Sequence, residues 1–391
     1  MKIAFWISLI IIFYTYLGYG IILYFLLLIK RMFKGKRQQV YYKIDDLPTC
    51  TLLIAAYNEQ NFIIEKIKNT LALEYPEGKL EIIFITDGST DKTAEILKEY
   101  PQIKLLHQDE RKGKVAAIHR AMEHVMTEII IFTDANTLLN KEALINISRH
   151  YANEKTGAVA GEKRVHFDEK ADAGSAGEGF YWKYESLLKK WDSELFSTVG
   201  AAGELFSVRR GLYSAVSEDT ILDDFMISML IAAKGYRIAY EPEAFAIETA
   251  SENISEELKR KVRIAAGGIQ SIVRLKTLLN IFRHGLLSFQ YLSHRVLRWT
   301  ITPLLLIVVL ILNTLICILN PDMIYKFLLL GQGLFYILAL MGMEFEKKEL
   351  RFKIVFIPYY FCVMNYAAIA GLKRYLGNEQ SAIWEKASRK K

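Results

Sequence analysis

Cysteine is scarce. Cys50, Cys317 and Cys362 are the three in 391 residues, too few and too scattered for a disulfide framework or a zinc pattern. They read as small buried apolar side chains. No G-x-x-x-x-G-K-S/T sequence occurs, which removes the P-loop class. Gly174-Ser-Ala-Gly177-Glu-Gly179 is glycine-rich but follows no predicted strand. It reads as a mobile loop, not a dinucleotide fingerprint. There is no internal repeat and no low-complexity linker. Charge is nearly missing from four long stretches at the two ends of the chain, and their placement organises the rest.

The first stretch, Ile3–Ile29, holds no charge and is long enough to cross a bilayer with some tilt. It is too long for a signal peptide, and no small-residue cleavage site follows. Residues 1–30 therefore read as an N-terminal membrane helix. Net charge is +7, concentrated in part at Lys30, Arg31, Lys34, Lys36 and Arg37. Directly after a span, such a cluster reads as an anchor at anionic lipid head groups and not as a nucleic-acid site. It places the following domain in the cytoplasm.

Three more apolar stretches, Thr300–Leu319, Ile324–Met343 and Ile354–Leu372, make residues 300–372 a set of about three membrane segments. Glu344–Lys353 forms a charged hairpin between the last two. Residues 281–299 precede them. In that stretch Gly285–Trp299 mixes apolar residues with His294, Arg295 and Arg298, which suits a helix in the membrane interface. Residues 373–391 form a basic tail with Lys373, Arg374, Lys386, Arg389, Lys390 and Lys391. The topology does not close. Three full spans after a cytoplasmic domain end outside, whereas the tail argues for inside. A transporter or channel is disfavoured, because the spans lack the charged residues such proteins use.

Residues 40–280 have a different texture. Apolar runs at Cys50–Ala56, Leu80–Thr86, Ile103–Leu106 and Glu128–Thr133 read as buried strands. Helical segments alternate with them: Glu59–Leu73, Asp91–Glu99, Lys114–Val125 and Lys141–Ala152. Thr90 or Asp91 is placed to cap the second. This βαβα order predicts an α/β domain with a mostly parallel sheet and a site at the carboxyl ends of its strands. Further strands are expected at Gly161–Val165, Thr198–Arg209 and Tyr236–Ala246. Helices are expected at Phe180–Lys190, Asp224–Lys234 and Glu256–Leu279.

Polar residues crowd the predicted strand ends. Tyr57-Asn58-Glu59 ends the first strand, Asp87-Gly-Ser-Thr-Asp91 the second and Asp134-Ala-Asn136-Thr137 the fourth. Turn and cap chemistry accounts for Ser89, Thr90 and Asp91. It accounts less well for Asp87 and Asp134, each at the end of an apolar strand. Asp134 and the Asn136 amide oxygen suit Mg²⁺ or Mn²⁺, which take oxygen ligands and share their shell with phosphates. Lys112-Gly-Lys114 could add positive charge to the same phosphates, or be a surface pair. Asp223-Asp224 opens a predicted helix. Capping explains acidic residues there. Two adjacent carboxylates also suit a general base, since such a pair can hold one pKa high enough to take a proton from an acceptor hydroxyl.

The ordered set Tyr57-Asn58-Glu59, Asp87-Gly-Ser, Gly113-Lys114, Asp134-Ala-Asn136, Asp223-Asp224 and Gly235-Tyr-Arg-Ile-Ala-Tyr-Glu-Pro242 resembles the membrane-bound family 2 inverting glycosyltransferases of the GT-A fold. The likeness is to the cellulose-synthase, poly-N-acetylglucosamine synthase and hyaluronan synthase type. It extends to the Ser293-His-Arg-Val-Leu-Arg-Trp299 approach to the membrane. The resemblance implies a nucleotide-sugar donor, usually UDP-linked, whose base and ribose meet Tyr57, Glu59 and Asp87. Asp134 would hold the diphosphate through the metal ion, with Lys114 and Arg263 beside it. Asp224 would be the base toward an acceptor hydroxyl, supported by Asp223.

Three positions depart from the family pattern. Asp223 stands where Glu is usual, and Asn136 where a second acidic residue is usual. Arg260-Lys-Val-Arg263-Ile264 keeps only the arginine of Gln-x-x-Arg-Trp, the motif of processive members. Trp182, Tyr184 and Trp191 are the remaining aromatics for stacking an acceptor, with core packing as their ordinary role. The expected acceptor is a membrane-associated glycan or lipid-linked oligosaccharide in polysaccharide biosynthesis. Membrane lipids and other subunits of a polysaccharide assembly system are the remaining expected partners. Two rivals stand beside this reading: transfer to a polyprenyl phosphate, and a non-catalytic subunit that binds nucleotide sugar or glycan.

Overall fold

The computed structural model describes residues 1–34, 42–166, 174–249, 254–319, 322–348 and 352–377. Lys36, Arg37 and the tail residues Lys386, Arg389, Lys390 and Lys391 lie outside them.

The strands are β1 (Cys50–Ala56), β2 (Leu80–Asp87), β3 (Lys104–Gln108), β4 (Ile129–Asp134), β5 (Thr137–Leu139), β6 (Thr156–His166), β7 (Leu205–Arg209) and β8 (Arg237–Thr249). They form one sheet in the order β3-β2-β1-β4-β7-β6-β8-β5. β1 pairs in parallel with β2 and β4, β2 with β3, and β6 with β8. β7 runs antiparallel between β4 and β6, and β5 antiparallel on β8.

Every residue of β1 is buried, as expected for a strand covered on both faces. Alternation sends Leu53, Ile83, Ile85 and Phe132 to one core layer and Leu52, Ile54, Phe84 and Ile131 to the other. The chain passes from β1 to β2 and β3 on one side and returns to β4 on the other. A crevice therefore opens where Ala56 and Asp134 end their strands.

The helices of the first half are α1 (Lys2–Phe13), α2 (Tyr19–Lys34), α3 (Ile63–Leu71), α4 (Thr93–Lys98), α5 (Lys114–Met122) and α6 (Ala143–Arg149). The second half holds α7 (Gly174–Leu195), α8 (Asp223–Ala233), α9 (Ile254–Arg274), α10 (Ile281–His284), α11 (Leu286–Tyr291), α12 (Leu297–Trp299), α13 (Ile301–Leu319), α14 (Met323–Lys347) and α15 (Lys353–Leu376). A π-helical turn, Tyr14–Gly18, joins α1 to α2.

Most expected elements appear, with differences: β6 already starts at Thr156, and α14 runs through Lys347 into the stretch expected to be a hairpin. Gly174–Gly179 is not a loop but the first turns of α7, because the amphipathic run downstream carries the helix back through it. β7 starts only at Leu205, since Gly200 turns the chain at φ +79° before it. β5 is three residues long, too short to give a periodic signal. Neither Thr90 nor Asp91 is the N-cap of α4, which is Lys92; Asp91 Oδ1 instead accepts from the Thr93 amide at 3.0 Å in the turn that leads into the helix.

Among the described residues, four segments are long and apolar enough to cross a membrane: Lys2–Phe33, Ile301–Leu319, Met323–Lys347 and Ile354–Leu376. The first enters the domain through its basic end. Lys30 donates to the carbonyls of Glu194 and Leu195, and Arg31 pairs with Glu194 at 2.6 Å. Within 281–299 the basic side chains His294, Arg295 and Arg298 turn inward. His294 is fully buried, with Nδ1 2.5 Å from Asp192 and Nε2 3.2 Å from Glu185. Arg295 and Arg298 reach the same Glu185 at 2.7 and 3.1 Å. Burial alone would raise Glu185; Arg295, His294 and Arg298 outweigh it and hold it well below the usual range. This stretch thus fastens α7 to the membrane helices.

Candidate active site

The β1 and β2 loops are tied together at the rim. Asn58 adopts φ +53°, a region Asn tolerates. Its amide donates to Ser89 Oγ at 3.2 Å, and its Oδ1 accepts from the Thr90 amide at 2.8 Å. The buried Glu59 donates its amide to Thr93 Oγ1 at 2.8 Å. Tyr57 is left beneath the Arg111 guanidinium, 3.9 Å from the ring centroid.

Asp87 holds the next loop. Its two oxygens accept from the Lys112 and Gly113 amides at 3.0 and 2.7 Å. Gly113 sits at φ +97° just before α5, a conformation glycine adopts without strain. Tyr57, Asp87, Arg111, Gly113 and Lys114 line a narrow cleft between β1 and β2. Asp87 thus shapes the cleft by fixing its far wall.

Lys114, first residue of α5, crosses to the other strands. Its Nζ lies 2.8 Å from Asp134 and 4.0 Å from Asp223. Burial by itself would lower its pKa; Asp134, Asp223 and Asp224 outweigh burial and hold it above the ordinary lysine value. Asp134 is pushed up by burial, against the pull of Lys114 and with a further push from Glu204. Asp223 and Asp224 open α8. Burial and then Asp223 push Asp224 up to about 7, while Lys114 pulls it down. Gly203 faces this pair, where a Cβ would stand 3.3 Å from Asp224 Oδ2 and 3.5 Å from Lys114 Nζ.

Of the expected site residues, Tyr57, Asp87 and Lys114 share the cleft, and Lys114 links it to Asp134 and Asp223. Asn136 follows two residues after Asp134, in the turn between β4 and β5. Arg263 is half-buried on α9, whose Gly267 packs on Ile221 and Leu222 next to the acid pair. The aromatic candidates have structural duties. Tyr184 donates to the Tyr16 carbonyl at 2.8 Å, Trp191 packs on Tyr24, and Trp182 lies near Lys163 and Lys261.

Sequence reading missed Arg111, whose signal was its place beside Lys112-Gly-Lys114. It also missed Lys66, fully buried on α3, which donates to the Thr137 carbonyl at 2.7 Å and to Thr133 Oγ1 at 3.3 Å. Thr137 Oγ1 in turn donates to the Asp134 carbonyl at 3.0 Å, so Lys66 props the metal-candidate turn from behind. A lysine inside an apolar helix face carries no such signal in the sequence.

Asp134 and Asn136 would offer an ion two oxygen ligands. Among the described residues no three His, Cys, Asp or Glu groups are placed to hold a metal. This donor set fits Mg²⁺ or Mn²⁺ sharing its shell with a diphosphate, and does not fit an ion held by protein alone.

Residues 51–216 match the model described as Glycosyl transferase family 2. The chain carries a glycosyl transferase family 2 domain. The domain also resembles the poly-beta-1,6-N-acetyl-D-glucosamine synthase of Staphylococcus aureus strain MSSA476, at 30% identity over 243 residues. That match covers 59% of this chain and 57% of the relative. The synthase of the same name from Staphylococcus epidermidis is 28% identical over 236 residues, 57% of this chain and 55% of the relative. The chain therefore spans about half the length of the curated relatives it matches. A solved mannosyltransferase from Pyrobaculum calidifontis, in complex with GDP-Man and Mn²⁺, superposes with TM-score 0.71 at 23% identity. It covers 96% of this chain and 100% of its own. The glycosyl transferase domain has the GT-A fold expected from its sequence, with apolar helices near both ends of the chain.

Proposed function

We propose that this chain is an inverting glycosyltransferase at the cytoplasmic face of the plasma membrane. It moves a sugar from a UDP-linked donor to a membrane-associated glycan or lipid-linked acceptor in polysaccharide biosynthesis. One observation carries the reading: a single ammonium, Lys114, joins the donor cleft beneath Tyr57 and Arg111 to the carboxylates Asp134 and Asp223. A diphosphate with its uracil and ribose in the cleft would rest its phosphates at Lys114. The names of the curated relatives point to an N-acetylglucosamine polymer as the kind of product.

Asp224 then acts on the acceptor. Its carboxylate takes the proton from the acceptor hydroxyl as the oxygen attacks the anomeric carbon from the face opposite the diphosphate. The carbon–oxygen bond to the diphosphate breaks, the electron pair leaves with UDP, and the anomeric centre inverts. Lys114 stabilises the charge that develops on the leaving oxygens. A divalent ion bound by Asp134 and Asn136 would supply Lewis-acid neutralisation of the same diphosphate. Arg263 stands ready to add charge from α9.

The test is UDP release by the full chain in membranes, screened across UDP-sugars with Mn²⁺, followed by sizing of the product. Binding of donor with neither UDP release nor transfer would leave a non-catalytic subunit as the reading. A polyprenyl phosphate acceptor is already ionised and requires no base. Asp224→Asn retaining most of the activity would select that rival.

A further inference from the structure

α15 is long and apolar enough to cross a bilayer, but its packing takes it elsewhere. The end of the membrane bundle distal to the catalytic domain is marked by contacts of α1, α13 and α14. Lys2 pairs with Asp322 at 3.7 Å, and Trp6 Nε1 donates to the Tyr325 hydroxyl at 3.1 Å. Phe5, Val309, Ile316 and Tyr325 close an apolar cluster there, which among the described residues contains nothing from α15. α13 runs outward from the domain, where Thr302 bonds Thr15 at 3.0 Å. α14 runs back over 25 residues, about 37 Å at 1.5 Å per residue.

α15 begins against the returning end of α14. Val355 and Tyr359 meet Gly342, and Phe361 meets Phe335 with ring centroids 5.7 Å apart. A crossing helix would continue down α14 and bring its last turns to Tyr325. Instead Asn365 accepts from the Tyr16 hydroxyl at 2.5 Å. Tyr16 is itself held by Tyr184 of α7. Gly371 then rests on Ala265 and Ala266 of α9, so close that a Cβ would come within 2.5 Å of Ala265 Cβ.

α9 is no membrane span. Its first half carries Glu256, Glu257, Lys259, Arg260, Lys261 and Arg263. Its second half is bonded into the catalytic domain, where Gln270 accepts from the Ile221 amide at 3.0 Å. Both ends of α15 therefore stand on the side of the bundle that holds the catalytic domain.

We propose that α15 does not cross the membrane but lies along the leaflet that faces the catalytic domain, with anionic lipid as its ligand. This rests on the reading above that the domain is cytoplasmic. The outward side of α15 is apolar, with Ile354, Ile357, Tyr366 and Leu376 exposed. Four tyrosines, Tyr359, Tyr360, Tyr366 and Tyr375, fall in its 24 residues, and tyrosine favours the head-group level. Lys373 and Arg374 in the last turn suit lipid phosphates. Three crossings instead of four return the chain end to the domain side, where the basic tail of the sequence belongs. The conflict between span count and charge is thereby removed. The leaflet also comes within two helix layers of Asp223: α15 backs α9 at Gly371, and α9 backs Leu222 at Gly267.

The experiment uses the full chain in its native membrane, with Cys317 and Cys362 replaced by serine and the buried Cys50 kept. Single cysteines are added as Gln102→Cys on the domain surface, Asp322→Cys at the distal end and Gly377→Cys after α15. An impermeant maleimide is applied to intact cells and to inside-out vesicles. Gln102→Cys and Gly377→Cys react only in inside-out vesicles, and Asp322→Cys only in intact cells. Reaction of Gly377→Cys from the same side as Asp322→Cys overturns the proposal. Reaction of Gln102→Cys in intact cells overturns instead the cytoplasmic placement of the domain, and α15 is then judged by whether Gly377→Cys shares that side. A nitroxide on Tyr366→Cys gives a second reading. Relaxation by a water-soluble nickel chelate, as at head-group depth, is expected; a bilayer-centre depth overturns the proposal.

Discussion

Lys114 and Asp134 are joined by a 2.8 Å ion pair that bridges the start of α5 and the end of β4. The same ammonium is 4.0 Å from Asp223, so one side chain balances the acids on both sides of the crevice. Lys114→Met removes that charge from the developing diphosphate. The expected result is a fall in kcat of about 10²–10³-fold, the usual cost of losing one preorganised donor. Asp224→Asn should cost about 10²–10⁴-fold through the lost proton transfer, with donor binding kept. UDP release and donor titration measure both. A Lys114→Met enzyme with unchanged kcat would remove Lys114 from the chemistry.

The acid pair sets a pH dependence. Burial and Asp223 together push Asp224 up to about 7. A base works only when deprotonated, so the rate should rise with pH through about 7 and level off above it. Asp223→Asn removes the second-largest cause, and the acid limb should then move to lower pH. Profiles of kcat/KM for the two proteins decide this. A limb that stays in place means Asp223 does not act on Asp224.

Metal binding should depend on the donor. Asp134 and Asn136 would supply two oxygen ligands, and Lys114 already pairs with Asp134. Mn²⁺ alone should bind weakly, and UDP should tighten it by linkage. Asn136→Asp adds a charged ligand and should strengthen Mn²⁺ binding without donor. Mn²⁺ paramagnetic resonance with and without UDP reads both effects. Equally tight binding in the absence of UDP would show a protein-only site that these residues do not form.

The central strands were legible because a strand buried on both faces leaves an unbroken apolar run. Cys50–Ala56 was expected residue for residue, and the ends of that strand and its neighbours placed Tyr57, Asp87 and Asp134 on one rim. What the sequence could not show was how side chains reach between elements that are distant in it. The tie from Lys114 to Asp134 and the hold of Asp87 on Gly113 depend on loop geometry. The inward turn of His294 was hidden for a different reason. A basic residue in an amphipathic stretch reads as solvent- or lipid-facing unless its buried partners, here Asp192 and Glu185, are known. The same holds for α15, whose composition satisfies a span while its neighbours do not.

Gly88 carries a backbone constraint at the donor cleft. It follows Asp87 at φ +65°, and a Cβ there would stand 2.7 Å from Arg111 Cβ and 2.9 Å from its backbone N. Gly88→Ala combines strain with a clash and should cost about 1–3 kcal/mol. Because the clash falls on the loop that carries Arg111, Lys112 and Gly113, donor KM should rise more than the melting temperature falls. A variant that loses stability but keeps its KM would show that this loop can shift without disturbing the cleft.

Lys66 offers a test in stability instead of rate. Burial lowers its pKa from the usual 10.5 to about 7, with Asp134 pulling the other way. Between those two values the unfolded chain binds the proton and the folded chain does not. Stability contributed at this position therefore rises with pH from about 7 to about 10.5 and is absent at lower pH. Lys66→Met removes the titration but leaves Thr133 and the Thr137 carbonyl without this donor. The melting temperature of the detergent-solubilised variant, followed across that window, should climb less with pH than that of the unaltered chain. Mn²⁺ affinity in the presence of UDP should fall as well, since the Asp134-Ala-Asn136 turn loses its prop. Parallel melting curves would show that Lys66 keeps its charge in the folded protein, and an unchanged Mn²⁺ affinity would show that the turn stands without it.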